Sequence, residues 1–130
     1  IPGASACLAA LAVSGLPADK FVFLGFPPHK KRRAKFFEEV AGAKHTAVFY
    51  ESPHRILKTL ESLMDHLKDI NKKVVVGREL TKIFEEVIAG AAEEVKKYLD
   101  KNAHSGSVVL TLGAGDVYLL SDTFITEEQK

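Results

Sequence analysis

The chain has 130 residues, 46% apolar and 27% charged, with a formal net charge of +1. That balance suits one soluble globular domain long enough to bury a core, and it lacks the global charge of a polyanion binder. A single cysteine excludes an internal disulfide and suits a reducing cytoplasm, and no apolar run is long enough to span a membrane.

The opening is apolar from Ile1 to Val13 but has no basic leader and no Met, so it reads as the first helix of a domain cut from a longer protein. Such a domain is expected to hold part of a larger active site. The helix is predicted over Ala4 to Val13, with Leu8, Leu11 and Ala12 on one face, and Ser14-Gly15-Leu16-Pro17 stops it. Cys7 within it reads as a free buried thiol. Phe21 to Phe26 reads as a strand closed by Gly25 and the Pro27-Pro28 pair. A basic run follows: His29-Lys30-Lys31-Arg32-Arg33-Ala34-Lys35 places five Lys/Arg in seven residues. It leads into a helix near Arg32 to Ala41, with Phe36, Phe37 and Val40 inward. The run reads either as a solvated helix start or as a phosphate-binding surface.

His45 to Tyr50 is the next strand. Pro53 to Leu67 is the clearest helix, since Ile56, Leu57, Leu60, Leu63, Met64 and Leu67 fall on one stripe. Ser52 is placed to cap it and Pro53 to occupy its first position. Lys73 to Gly77, with three consecutive valines, reads as a strand buried on both faces. Phe84 to Ala89 suits an edge strand, Ala91 to Lys101 a helix, and Ser107 to Leu112 a last strand. This alternation predicts an α/β fold, with helices flanking a mixed, largely parallel sheet.

The most informative segment is Phe49-Tyr50-Glu51-Ser52-Pro53-His54-Arg55. It sets Glu51, His54 and Arg55 at the C-terminal edge of a strand, where open α/β sheets place ligands. A second charged set, Arg78-Glu79-Leu80-Thr81-Lys82, follows the valine strand. If the two strands are parallel neighbours, both sets share one sheet edge, and Glu79 can pair with Arg55 or Glu51 with Arg78. Structural ion pairs between loops are the competing interpretation. The scattered histidines show no metal-ligand spacing, and neither nucleotide-loop nor nucleophile-elbow patterns occur. Leu112-Gly113-Ala114-Gly115-Asp116 is too short for a nucleotide fingerprint.

Ile1-Pro2-Gly3-Ala4-Ser5-Ala6, Ser14-Gly15-Leu16-Pro17, Gly25-Phe26, the Phe49 to Arg55 motif and Arg78 to Lys82 followed by Phe84-Glu85-Glu86 occur in this order. Together they resemble the C-terminal half of the ribosomal RNA small subunit methyltransferase I family, in the tetrapyrrole (corrin/porphyrin) methylase superfamily. The resemblance covers about residues 1 to 112, as a C-terminal domain of that fold, and leaves 113–130 as an unassigned tail. It implies an S-adenosylmethionine-dependent enzyme whose cofactor lies between this domain and an N-terminal domain that the sequence lacks. Ser5, Ala6 and Tyr50 would then be cofactor contacts. The implied substrate is the 2′-hydroxyl of a cytidine in small-subunit (16S) ribosomal RNA. Glu51 or Glu79 would accept its proton or orient the sugar, and Lys30, Lys31, Arg32, Arg33, Arg55, Arg78 and Lys82 would face RNA. A cytoplasmic homodimer is expected, with no metal. The sequence departs from the family at Gly106-Ser107, where a Gly-Glu pair is usual. Two alternatives stand beside this: a methylase acting on a tetrapyrrole carbon, and a non-catalytic RNA-binding or dimerisation module.

Overall fold

The computed structural model describes residues 1–102, 106 and 108–113, the strand at 108–112 by its backbone. Beyond residue 113 the expected tail lies outside the described residues, as does Ser107. The elements run α1 (Ala6–Ser14), β1 (Phe21–Phe23), α2 (Arg33–Gly42), β2 (Thr46–Glu51), α3 (Ile56–His66), β3 (Val74–Arg78), β4 (Glu86–Gly90), α4 (Ala92–Lys101) and β5 (Val108–Leu112). One sheet has the order β1-β2-β5-β3-β4. It is mixed, as expected: β1, β2 and β3 point the same way, while β5 and β4 oppose them.

β2 and β3 are not hydrogen-bonded neighbours, contrary to the arrangement considered from the sequence. β5 returns antiparallel between them and pairs with both. The register still keeps the two charged segments level, because Glu51 and Arg78 are both opposite Val108. Two strand spacings, about 10 Å, separate them along the sheet.

Alternation along the strands divides the core. Ala47, Phe49, Val74, Val76 and Ile88 meet α2, α3 and α4 on one face, with Phe36, Phe37, Leu60, Leu63, Val95 and Leu99 filling the layer. Val48 turns to the other face and packs under Cys7, Ala10 and Leu11 of α1, with Tyr50 and Leu80 at the margin. The α3 stripe is buried as its spacing requires, with Met64 packed against it. In α1 the inward set is Cys7, Ala10, Leu11 and Ser14, whereas Leu8 and Ala12 are exposed. Apolar residues surround that helix on all sides, so periodicity gives it no preferred face. Gly15 ends it in the left-handed conformation at φ 68°, and the Ser14 hydroxyl donates to Leu11 O while accepting from the Leu16 N–H.

Lys72 is buried, and its ammonium donates to Val40 O and Ala43 O at the end of α2. A cation there satisfies terminal carbonyls and complements the helix dipole, although burial lowers its pKa. No helix among the described residues is long and apolar enough to cross a membrane.

Candidate functional site

The C-terminal ends of β1, β2 and β3 form one edge, and most of the singled-out residues gather there. Ser5 caps α1, its side chain accepting from the Leu8 N–H. The Tyr50 hydroxyl accepts from the Cys7 N–H at 3.2 Å, which ties the first turn of α1 to the end of β2. Ser5, Ala6 and Tyr50 are thus brought together. Phe23 and Phe26 flank the Tyr50 ring, with centroids at 5.0 and 5.5 Å. Burial pushes the Cys7 thiol above its usual pKa, consistent with an inert core cysteine.

Glu51 is the most enclosed carboxylate of the edge, 2% exposed. Its Oε1 accepts from the Ser52 N–H at 2.7 Å and from Arg55 Nε at 2.9 Å, and its Oε2 accepts from the Thr59 hydroxyl at 2.5 Å. The anticipated helix start therefore differs. Ser52 does not cap, Pro53 to Arg55 form a turn closed by Arg55 N–H to Ser52 O, and α3 begins at Ile56. Glu51 accepts the Ser52 N–H ahead of the helix, and no side chain caps α3.

The anticipated pairings between the two charged sets also differ, and each set pairs locally. Arg55 binds Glu51, with Nη2 donating to Pro27 O and Nη1 buried with no partner among the described residues. Arg78, 8% exposed, binds Glu86 and donates to Asn102 O at 3.3 Å. The Tyr98 hydroxyl donates to the other oxygen of Glu86, and this bond to a carboxylate raises the Tyr98 pKa. Arg78 thereby fastens β3 to β4 and α4. Arg78→Met is expected to cost about 2 kcal/mol by leaving Glu86 without its cation, after discount for partial exposure. Urea unfolding checks this, and an unchanged midpoint would remove Arg78 from the frame.

Glu79 and Lys82 form the exposed side of the second set. The Lys82 ammonium donates to Glu79 Oε1 at 3.1 Å, and the Glu79 side chain is 17% exposed. Glu79 has φ +50° and Thr81 φ +68°, left-handed conformations that non-glycine residues occupy at a cost. Gly106 lies against Glu79: a Cβ there would fall 2.5 Å from Glu79 Cγ. Glu85 accepts from the Thr81 N–H at 2.5 Å and closes the turn. This is why the expected strand from Phe84 starts only at Glu86, with Phe84 exposed.

The basic run divides by role. Lys30, Lys31, Arg32 and Lys35 are exposed, and Arg32 sits at φ 64° at the start of α2. Arg33 turns inward. It donates to Pro28 O at 3.1 Å and to Thr59 Oγ1 at 3.0 Å, and it lies over the Phe37 ring. Thr59, 0% exposed, joins Arg33 to Glu51 and was not singled out from the sequence. Its only signal there was a polar residue on the apolar side of a helix.

Residues 1–96 match the family model for Tetrapyrrole (Corrin/Porphyrin) Methylases. The chain is 47% identical over 95 residues to the ribosomal RNA small subunit methyltransferase I of Halalkalibacterium halodurans, covering 72% of this chain and 32% of that protein. With the enzyme of the same name from Thermotoga maritima it shares 35% identity over 112 residues, 86% of this chain and 50% of that one. The chain thus spans about a third to a half of the length of these relatives. Among solved structures, the methyltransferase CobJ matches with a TM-score of 0.66 at 18% identity, over 92% of this chain and 52% of that one. The uroporphyrin-III C-methyl transferase of Thermus thermophilus, complexed with S-adenosyl homocysteine, matches at 0.57 and 18% identity, over 87% and 51%. Those likenesses establish the fold, and with the family match over most of the chain, this protein belongs to the tetrapyrrole (corrin/porphyrin) methylase family.

Proposed function

We propose that this chain is the C-terminal part of an S-adenosylmethionine-dependent methyltransferase that modifies a cytidine 2′-hydroxyl in small-subunit ribosomal RNA. The observation that carries the reading is the identity to relatives named for ribosomal RNA, combined with the exposed Lys30, Lys31 and Arg32 beside the sheet edge. A small macrocycle needs no such extended cationic surface, which disfavours methylation of a tetrapyrrole carbon.

The residues fit one wall of a cofactor cleft. Gly3, Ala4, Ser5 and Ala6 are small, and no atom lies within 4 Å of a Cβ placed on Gly3. A backbone of this kind admits close approach by a ligand, and Tyr50 steadies its first turn. The cofactor, when bound, supplies a sulfonium methyl. This chain's part is positional: the α1 turn forms a wall, the exposed cations hold phosphates, and a carboxylate accepts the hydroxyl proton. Glu79 suits that last task better than Glu51 on exposure, its side chain being 17% exposed where Glu51 is 2% exposed.

The other wall is assigned to an N-terminal domain, and a homodimer in the cytoplasm is the proposed assembly. Phe23 and Phe26 are 47% and 60% exposed beside Tyr50, an apolar surface fit for contact with another domain or a second copy. The test is calorimetric titration of S-adenosylhomocysteine into this chain and into the protein at the relatives' full length. A methyl-transfer assay on small-subunit RNA accompanies it, with the modified nucleotide mapped. Binding by the longer protein alone, with methyl on a cytidine 2′-oxygen, is expected. Tight binding by this chain alone would refute the shared cleft, and methyl on a base would refute the ribose assignment.

A further inference from the structure

We propose that Glu51 is a positioning residue that holds the basic loop in shape for RNA, acting through Arg55 and through a Thr59–Arg33 relay. The proposal rests on the ribosomal RNA reading for what the loop engages, but not for how the loop is held.

Two guanidinium groups reach the segment before α2 from one buried carboxylate. Arg55 takes Glu51 Oε1 with Nε and donates Nη2 to Pro27 O at 3.0 Å. Thr59 donates its single hydroxyl proton to Glu51 Oε2, because an ionised carboxylate only accepts. Its oxygen is then obliged to accept from Arg33 Nη2, and Arg33 Nη1 continues to Pro28 O. Pro27 and Pro28 are thus both pinned to the end of β2. The prolines have no N–H to pair, so their carbonyls are the handles available.

The pinned segment carries Lys30, Lys31 and Arg32 to solvent, with the Arg33 N–H bonded to Lys30 O and Arg32 left-handed between them. A non-glycine residue keeps that conformation only where its surroundings impose it. Inward Arg33 and outward Arg32 are therefore coupled: the bonds that fix one determine where the other points. Thr59 lies in the core, so RNA cannot touch it, and any effect of changing it on RNA is indirect.

Thr59→Val is the test, because it keeps the shape and removes the relay, and Thr59→Ser is the rescue. The full-length protein with small-subunit RNA is used. The expected result is RNA binding weakened about tenfold, with a shallower salt dependence as phosphate contacts are lost. The KM for RNA should rise, while kcat at saturating RNA and S-adenosylhomocysteine affinity stay within about twofold. Amide exchange at residues 29–35 should quicken without RNA present, and Thr59→Ser should restore both properties. Glu51→Gln should repeat the pattern.

Unchanged exchange at 29–35 in Thr59→Val overturns the latch, whatever the protein's substrate. Faster exchange with unchanged RNA affinity, in a wild type that does bind RNA, overturns the link from loop to RNA. A wild type without salt-dependent RNA binding overturns the ribosomal reading and the RNA part of the proposal, and exchange then judges the latch alone. A fall in kcat with unchanged KM in Glu51→Gln would make Glu51 a participant in the chemistry and overturn its positioning role.

Discussion

Replacing Phe49 with alanine is expected to lower the stability of this chain by about 3–5 kcal/mol, the range for a fully buried phenylalanine. Phe49 is 0% exposed and stands at the centre of β2, edge-on to Phe36 with centroids 5.3 Å apart. Truncation empties the layer between the sheet and α2–α3, and the strands on either side limit collapse into the space. A domain of this kind has about 5–15 kcal/mol in all. The substitution therefore removes a large part of the margin. Urea unfolding should show a lower midpoint with an unchanged m-value. Phe84→Ala is the control, since Phe84 is 76% exposed in the turn after Lys82 and should change stability by at most about 0.5 kcal/mol. If both variants behaved alike, the placement of Phe49 in the core layer would be wrong.

The contrast between these phenylalanines shows what the sequence could convey. Phe49 belonged to an apolar run ending in a charge, and such runs become central strands wherever a sheet is available. The α3 stripe and the valines of β3 were legible for the same reason: Leu60, Leu63, Val74 and Val76 are all 0% exposed. Phe84 was apolar but only one of a pair with Ile83 between charged residues, and its neighbours decided its place. Glu85 captured the Thr81 N–H and closed a turn, so the strand began at Glu86 and not at Phe84. A side chain competing for a backbone N–H leaves little trace in apolar periodicity.

The same competition displaced the start of α3. Ser52-Pro53 is a sound opening signal, yet Glu51 collects the local donors and the helix waits until Ile56. Strand order was beyond reach for a different reason. The Phe49–Arg55 and Arg78–Lys82 segments fell at one sheet edge as their positions implied, but nothing local states that β5 returns between β2 and β3. The basic run was ambiguous because charge does not reveal direction. Arg32 and Arg33 are adjacent and identical, yet one faces solvent and the other packs over Phe37. Arg33 is held inward by Pro28 O, the Phe37 ring and Thr59, a residue 26 positions away.

Glu79→Gln is expected to reduce methyl transfer by about 10²-fold or more in the full-length protein, the usual share of a positioned proton acceptor. Affinity for S-adenosylhomocysteine should stay within about twofold. On the ribose reading proposed above, the hydroxyl attacks a methyl group poorly until its proton has somewhere to go, so its acceptor must be open to the surface. Glu51 does not meet that requirement, being wholly enclosed. Glu79 lies on the same edge, keeps 17% of its side chain exposed, and is held in a left-handed backbone conformation between Lys82 and Gly106. Strain retained at a charged residue in a surface turn is a mark of function, since a glycine there would fold more readily. Glutamine keeps the size and an acceptor for Lys82 but is not a base, so a specific loss of kcat isolates the proton transfer. A rise in the KM for RNA with kcat intact would instead mean that Glu79 serves by orienting Lys82 toward a phosphate. Unchanged kinetics would mean that Glu79 does not take the proton.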